Sequence, residues 1–515
     1  MATESRTAKS IKNSIVALIM YFINLILQFY SRKIFLNYLG TEILGLNTTA
    51  TNILQFLNLA ELGISSAVAF SLYKPLHEND EETINEIISL QGHIYRRIAL
   101  MIIGGATVVM CFFPWIFGKM ELPLWYAYMS FGVLLLSSLL GYFVNFRQVV
   151  LSASQQEYKI LYSFKSIMLV KVLCQMYAVW KFQNGYIWWA VLEGIFAIAG
   201  AYSLHFMTMI NFPYLKNATL SFKELRNKYC EIEVKIKQLF FHKIGGFALS
   251  QTSPLIIYAY ASLTLVAYYG NYMIIILGLQ VLMSSLFNSI GAGIGNLIVE
   301  NNLNRNYLVF KELFSIRFCL ISTLCFCAFT MSPKLISLWI GSKYLLPDMT
   351  LALMIAAMFL NLVRGTTDSF INGFGLFDDI WAPIVEAGLN IGLSIILGYF
   401  YGLNGILLGV VISSFIVIGC WKPYFLFTRK MKGFLFKYIY LFLIHIFLGV
   451  ITWFIADYLF DHYFNFNGKQ LNIQTFIFQG LESVLIYGIL ITILLYSFNC
   501  GLREFLTRIL HYVRK

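Results

Sequence analysis

The chain has 515 residues, of which 59% are hydrophobic and 12% are charged, and its formal net charge is +12. A soluble domain carries about 25% charged residues, so this composition excludes a soluble globular protein and predicts an all-α polytopic membrane protein. No soluble basic domain is visible, which excludes nucleic acid as a partner. The positive charge is assigned instead to membrane topology and to contact with anionic lipid headgroups.

Apolar runs of about 20 residues predict fourteen transmembrane helices. They lie near residues 14–36, 44–72, 98–118, 124–150, 160–181, 186–210, 239–261, 264–298, 313–338, 349–374, 380–400, 403–425, 434–457 and 476–498. No loop between them is long enough to form a separate folded domain. The first thirteen residues are polar and basic, and the apolar run that follows is long, so we expect no cleavable signal peptide.

The distribution of Lys and Arg predicts the orientation in the membrane. Most basic residues fall in segments that are cytosolic if the N-terminus is inside. Five are assigned to spans: Arg147, Lys165, Lys171, Lys243 and Arg364. This asymmetry predicts that both termini are cytosolic and that the number of helices is even.

Two pairs of similar segments predict an internal repeat. Residues 44–47 (LGLN) and 268–271 (YYGN) open the second and eighth helices, and residues 150–159 and 370–379 follow the fourth and tenth helices at nearly the same spacing. Because each half would hold an even number of helices, the repeat predicts two parallel six-helix lobes. The expected domains are an N-lobe at 1–210, a cytosolic amphipathic linker at 211–238, a C-lobe at 239–428, two further helices within 429–500, and a basic amphipathic cytosolic tail at 501–515.

Three segments outside the predicted spans are amphipathic: residues 74–97, 216–238 and 501–515. In the second of these, Ser221 and Glu224 have the spacing of a helix capping box. We expect the three segments to form helices at the membrane surface, and binding to a protein partner is the alternative.

The second predicted helix has one polar face although it is apolar enough to span a bilayer. Asn47, Thr51, Gln55, Asn58 and Glu61 follow each other at steps of three or four residues, which keeps them on one side of a helix. A transmembrane helix with one polar face is expected to line a polar passage. Glu61 is a candidate for coupling or gating, as a proton carrier or as the partner of a cation.

The tenth predicted helix carries the clearest polar stripe. Asn361, Arg364, Asp368 and Asn372 share one face, and Arg364 and Asp368 are four residues apart. Charges inside a membrane span are costly and are usually functional or paired. Two interpretations are open: a structural ion pair, or a cation held for an anionic substrate and gated by its own carboxylate.

Further polar residues in predicted spans are candidates for a substrate cavity. With Gln55, Asn58 and Arg364, the proposed cavity set includes Asn145, Arg147, Lys165, Lys171 and Asn288. Lys165 could instead extend to the inner surface. The carboxylates Glu193 and Glu386, which lie near or within predicted spans, could carry protons or pair with lysines.

Sequence motifs for catalysis and cofactor binding are absent. The chain has no P-loop, no HExxH and no GxSxG, and its eight cysteines are scattered and suit apolar packing. We therefore predict a transporter rather than an enzyme, with no cofactor and no metal site. Energy would come from an ion gradient, the membrane potential or the substrate gradient.

A resemblance to a known family is carried by residues 35–76. The run FLNYLGTEILGLN at 35–47 is followed by NIL at 52–54, LAELGI at 59–64 and LYKPL at 72–76. This pattern resembles the N-terminal signature of bacterial Wzx-type polysaccharide (O-antigen) flippases, which belong to the multidrug/oligosaccharidyl-lipid/polysaccharide exporter (MOP) superfamily.

The resemblance implies a function in surface polysaccharide and lipopolysaccharide synthesis. Such a flippase moves undecaprenyl-diphosphate-linked oligosaccharide across the bacterial inner membrane by alternating access. It implies membrane lipids and a polymerase or other assembly proteins as partners, and coupling to H⁺ or Na⁺ is compatible with it. One alternative is a multidrug or organic-cation antiporter on the same fold. A polysaccharide polymerase or ligase is a weaker alternative, because no large external catalytic loop is present.

Overall fold

The fold is entirely α-helical over the residues that the computed structural model describes. These are residues 6–61, 63–288, 302–376, 378–379, 381–464, 472–498 and 501–513, with residues 294, 297 and 298. The chain divides into two compact units, Met1–Ala267 and Tyr268–Lys515. The lobe boundaries and the internal repeat expected from the sequence remain predictions.

The first unit is built from nine helices and the start of a tenth, with short helical pieces between them. The main helices are α1 (Arg6–Tyr38), α2 (Gly40–Leu57), α3 (Ile64–Glu78), α4 (Glu81–Cys111), α5 (Trp125–Phe143), α6 (Glu157–Lys181), α7 (Gly185–Asn211), α8 (Phe222–Lys228), α9 (Cys230–Tyr260) and α10 (Leu263–Asn288). Short pieces are formed by Asn58–Glu61, Phe113–Ile116, Phe146–Gln148 and Val149–Ala153. A core of buried aliphatic side chains joins α3, α4 and the 146–153 segment.

The second unit contains the remaining helices. They are α11 (Leu303–Trp339), α12 (Asp348–Val363), α13 (Gly365–Gly373), α14 (Trp381–Ser414), α15 (Lys422–Arg429), α16 (Leu435–Leu459), α17 (Ile473–Ser497) and α18 (Leu502–Val513). A 3₁₀ turn lies at Ser342–Tyr344, and π-helical turns lie at Phe415–Trp421 and Phe460–Phe464. An aromatic-rich core packs α11 against α16 and α17.

Eleven helices in the described part of the chain are long and apolar enough to cross a membrane. The prediction of an all-α multi-pass membrane protein is therefore confirmed. The count of fourteen spans is not confirmed. One run of 49 residues, Trp381–Arg429, covers two predicted spans and bends at Gly402. The predicted spans at 44–72 and 239–261 are not among the eleven.

The single helix predicted at 44–72 is wrong, because the structure divides it into α2 and α3. The break consists of a 3₁₀ turn at Asn58–Glu61 followed by Gly63, whose φ is 95°. Only glycine adopts this left-handed conformation without steric cost. A polar face continuous in the sequence pattern is thus interrupted at Glu61.

The surface helices predicted at 74–97 and 216–238 are also corrected. Residues 81–97 are the first half of α4, and Ile84, Ile87 and Ile88 are buried in the core of the first unit. In the second segment the capping box of Ser221 and Glu224 is confirmed, but α8 ends at Lys228 and the following residues begin the long α9. Apolar faces predicted to contact lipid are therefore partly covered by protein.

Candidate substrate-binding site

A polar cavity of about 490 Å³ lies in the second unit. Its walls come from the C-terminal part of α10, from α11, and from α12 and α13. The lining residues with polar side chains are Ser284, Arg317, Asn361, Asp368, Ser369 and Asn372. Amides, hydroxyls and charges inside apolar helices can replace the hydrogen bonds that a polar solute makes with water.

Arg317 supplies a cation to this cavity from the middle of α11. It lies about 21 Å from the start of the helix at a rise of about 1.5 Å per residue. Its guanidinium stacks on the Phe287 ring at 4.2 Å from the ring centre. Among the described residues it has no carboxylate within ion-pair distance, and Asp368 interacts with it electrostatically at longer range. The residue is only 8% exposed, so this charge is held inside the protein and directed at the cavity.

The Arg317 side chain occupies space that a glycine leaves open. A Cβ atom on Gly365 would lie 1.6 Å from Nη1 of Arg317. The helix changes from α12 to α13 at Arg364, directly before this glycine. The close approach fixes the guanidinium against the wall of the cavity.

The polar stripe predicted on the tenth helix lies at this cavity. Asn361, Asp368 and Asn372 line it. Arg364 pairs with Asp368, with Nε 2.9 Å from Oδ2, and both side chains remain about one-third exposed. Asp368 is therefore neutralised by Arg364, four residues earlier in the chain. Arg317, from α11, lines the same cavity.

A second group of charges lies near the start of α14. Glu386 is buried, and its Oε1 has no hydrogen-bond partner within the described part of the chain. Arg364 and Lys422 interact with it electrostatically. Lys422 is itself paired with buried Asp379 at 2.7 Å. Glu386 therefore lies within electrostatic range of Arg364, which pairs with the cavity residue Asp368.

Glu61 lies in a different environment, in the first unit at the break between α2 and α3. The Tyr142 hydroxyl donates to Glu61 Oε2 at 2.8 Å, and the Tyr95 hydroxyl donates to Oε1 at 3.2 Å. Tyr142 and Ser138 also contact Oδ1 of Asn58, at 3.2 and 3.1 Å. The predicted residues Asn58 and Glu61 thus belong to one hydrogen-bonded network. Its role in coupling or gating remains a prediction.

The two lysines predicted on the fifth helix differ in their surroundings. Lys171 forms an ion pair of 2.7 Å with Glu193, and both side chains are largely buried. Gln175 donates to the other oxygen of the same carboxylate at 2.9 Å. Lys165 lies in a π-helical turn and is exposed. The carboxylate of Glu193 therefore neutralises Lys171 within the first unit.

The other predicted site residues are dispersed. Arg147 donates to Asn217 Oδ1 at 2.9 Å and contacts the sulfur of Met209. Asn145 is buried, with an Oδ1 that lacks a partner among the described residues. Gln55 is half-buried on α2. The side chain of Asn288 lies outside the described residues.

Arg317 was missed as a site residue by the sequence analysis. The predicted span began at residue 313, which placed Arg317 beside a membrane boundary where basic residues are common. The helix instead begins at Leu303 and continues to Trp339, so Arg317 lies well inside it. A signal was available: Asn302 is a good N-cap residue, and its side chain accepts from the Arg305 amide.

The architecture matches solved transporter structures. A structure described as the lipid II flippase MurJ in an inward closed conformation matches with a TM-score of 0.68 and 16% identity, over 94% of this chain and 99% of that one. An inward-facing multidrug resistance MATE family transporter of the MOP superfamily matches with a TM-score of 0.58 and 12% identity, over 82% and 99%. The structure of a eukaryotic MATE transporter matches with a TM-score of 0.54 and 14% identity, over 83% of this chain and 98% of that one.

Comparisons by sequence find no such match. No protein-family model matches the chain, and no curated protein matches it. The agreement with MurJ and MATE structures at 12–16% identity is therefore an agreement of fold. The chain is a multi-pass membrane protein with the fold of MOP superfamily transporters.

Proposed function

We propose that this protein is a flippase for a polyprenyl-diphosphate-linked oligosaccharide in the bacterial inner membrane, with both termini in the cytosol. The observation that carries the proposal is the cavity around Arg317. Arg317 lines the cavity, and the lining carboxylate, Asp368, is already paired with Arg364. The guanidinium of Arg317, which has no carboxylate within ion-pair distance among the described residues, suits a diphosphate, because guanidinium groups form strong charge-assisted hydrogen bonds with phosphate oxygens.

The neutral polar groups of the cavity suit the sugars. An unpaired hydroxyl costs about 1–3 kcal/mol to bury, so several sugars need hydrogen-bonding partners to cross the membrane. Asn361, Asn372, Ser284 and Ser369 offer donors and acceptors beside Arg317. Head-group recognition would thus combine charge with amide and hydroxyl contacts.

An apolar groove in the same unit suits a lipid tail. It has a volume of about 460 Å³ and lies between α11, α12, α16 and α17. Phe318 lines the groove, whereas its neighbour Arg317 lines the polar cavity. Since neighbouring residues on a helix point in different directions, α11 presents a charged face to one space and an aromatic face to the other.

The rival function on the same fold is export of organic cations. A site for cations would be expected to present a free carboxylate. In the described part of the cavity the lining carboxylate, Asp368, is occupied by Arg364, whereas Arg317 is not paired with an acid. This arrangement favours an anionic ligand.

The test is a leaflet assay for the lipid-linked oligosaccharide. Deleting the gene is expected to trap the undecaprenyl-linked units on the cytosolic leaflet, and reintroducing the wild-type chain is expected to restore them to the outer leaflet. Accumulation of unpolymerised units on the outer leaflet would favour a polymerase. A normal distribution of the lipid-linked units, with lost resistance to organic cations, would favour the antiporter.

A further inference from the structure

A second apolar groove, separate from the substrate cavity and the tail groove, lies on the surface of the second unit. It has a volume of about 660 Å³ and lies between residues 415–424 and the first half of α16. Phe415, Ile416, Ile439 and Leu443 line it and are each at least two-fifths exposed. No residue of the first groove or the polar cavity lines this one.

The groove coincides with a local irregularity of the helix. Phe415–Trp421 is π-helical, and such turns are uncommon and often occur at functional sites. Gly419 also lines the groove, and a Cβ there would lie 3.1 Å from the Phe415 ring. The groove therefore follows an irregular turn of the helix in which Phe415 packs closely over the glycine.

The segment that connects the two walls is strongly basic. Its exposed cations are Arg429, Lys430 and Lys432, and the exposed Lys437 follows in the first turn of α16. Met431 is fully buried and anchors the segment, and Phe434 stacks on Tyr307 at 4.5 Å between ring centres. The sequence contains no Asp or Glu from residue 387 to residue 456. The cations therefore lie in or next to the segment that joins the two walls of the groove, and this stretch of the sequence contains no acidic residue.

One residue that lines the groove, Trp421, has a hydrogen-bond donor without an acceptor among the described residues. Nε1 of Trp421 is buried and has no acceptor among the residues that the structure describes. A buried donor without a partner costs about 1–3 kcal/mol.

We propose that this groove binds an anionic phospholipid of the membrane, with its phosphate at the basic segment and its acyl chains along the apolar walls. Basic pockets beside transmembrane helices bind anionic headgroups in this way. Charge complementarity selects the headgroup, and the exposed apolar walls require hydrocarbon to cover them. This lipid site is separate from the cavity proposed for the transported substrate. It would hold one lipid molecule at a fixed place on the second unit.

The experiment measures lipid bound to the full-length protein in detergent by native mass spectrometry. Purified protein is titrated with dioleoyl phosphatidylglycerol and, separately, with dioleoyl phosphatidylcholine. The wild-type protein is expected to retain the anionic lipid at concentrations at least about tenfold lower than the zwitterionic one. Replacing Arg429, Lys430, Lys432 and Lys437 by Gln is expected to remove this preference.

A matched variant controls for the loss of four charges. Lys33, Lys216, Lys223 and Lys237 are exposed residues of the first unit, and their replacement by Gln changes the net charge equally. This variant is expected to keep the preference. A third variant, Ile416→Trp with Ile439→Trp, fills the groove from two exposed positions and retains all four cations. It is expected to lose the bound phosphatidylglycerol.

Three outcomes would overturn the proposal. Equal retention of both lipids by the wild-type protein would show non-selective contact with lipid. Unchanged selective binding by the groove-filled variant would show general attraction to a basic surface. Displacement of the bound lipid by a polyprenyl phosphate at equal concentration would assign the groove to the transported substrate. None of these results depends on a transport assay, so failure here is distinguishable from failure of the proposed function.

Discussion

Buried charges are paired in both units, and Arg317 of the second unit is an exception within the described part of the chain. In the first unit Lys171 is paired with Glu193 at 2.7 Å, and Glu61 accepts from two tyrosine hydroxyls. In the second unit Arg317 faces a cavity without an acidic partner among the described residues. A charge that the fold already satisfies stabilises or positions, whereas a charge left facing an open cavity is available for a ligand. The absence of a partner, more than the presence of a charge in a span, therefore identifies the candidate binding site.

The largest effect is expected where a buried pair is broken. Replacing Lys171 by Met leaves Glu193 buried and unpaired, which costs about 3–5 kcal/mol in comparable cases. We expect loss of folded protein from the membrane fraction, measured by size-exclusion chromatography and thermal unfolding in detergent. The double variant Lys171→Met/Glu193→Gln is expected to recover most of the folded protein. A folded single variant that no longer transports would instead place Lys171 in the substrate site.

Removing the unpaired cation is expected to affect transport and not folding. A hydrogen bond to a charged group contributes about 1.5–3 kcal/mol, so Arg317→Gln is expected to reduce transport roughly 10- to 100-fold. The leaflet assay measures this, with the amount of folded protein determined in parallel. Arg503→Gln removes an exposed arginine of α18 and serves as the control. Full transport by Arg317→Gln would remove the contrast between the two units.

A smaller effect is expected from moving the same guanidinium without removing it. Gly365→Ala introduces a Cβ that would lie 1.6 Å from Nη1 of Arg317, so the side chain must shift. We expect a several-fold loss of transport, less than in Arg317→Gln. Gly388→Ala is the matched control, because a Cβ there has no neighbour within 4 Å. Equal activity of the two variants would show that the position of the guanidinium is unimportant.

The smallest effect concerns a helix cap outside the spans. The amide of Thr83 donates to Oδ1 of Asp80 at 3.0 Å, and this hydrogen bonding lowers the pKa of the Asp80 carboxyl. The resulting stabilisation is present above the ordinary aspartate pKa of about 4 and is lost as the pH falls through the lower folded-state pKa. We expect Asp80→Ala to lower the unfolding temperature slightly at pH 7, and the difference from wild type to shrink in acid.

An uncharged cap in the second unit provides the comparison. Asn302 accepts from the Arg305 amide at 3.1 Å and does not titrate. The difference in unfolding temperature between wild type and Asn302→Ala is therefore expected to stay constant with pH. Parallel pH dependence for the two variants would show that the acid effect arises elsewhere in the protein.

Much of the fold could be predicted from the sequence because membrane helices require long apolar runs. The helices at 186–210, 434–457 and 476–498 were placed within a few residues, since hydropathy alone defines them. Breaks inside apolar runs were harder. Gly63 divides α2 from α3, and Arg364 lies at the change from α12 to α13, although hydropathy is continuous across both.

The candidate site was predicted in part. The stripe of Asn361, Arg364, Asp368 and Asn372 shares one helix face, and this spacing is visible in the sequence. Arg317 lies on another helix, and its relation to Gly365 depends on how the helices pack. Pairing of Lys171 with Glu193 equally requires two helices to be neighbours.

The sequence by itself determined the membrane environment, the helical class and the polar residues that had to be accommodated, because these follow from composition and from the period of the helix. The tertiary structure alone decided which of those residues satisfy one another and which face open space. The physical reason is that a charge in a low-dielectric interior takes its role from partners within a few ångströms, and those partners are distant in sequence.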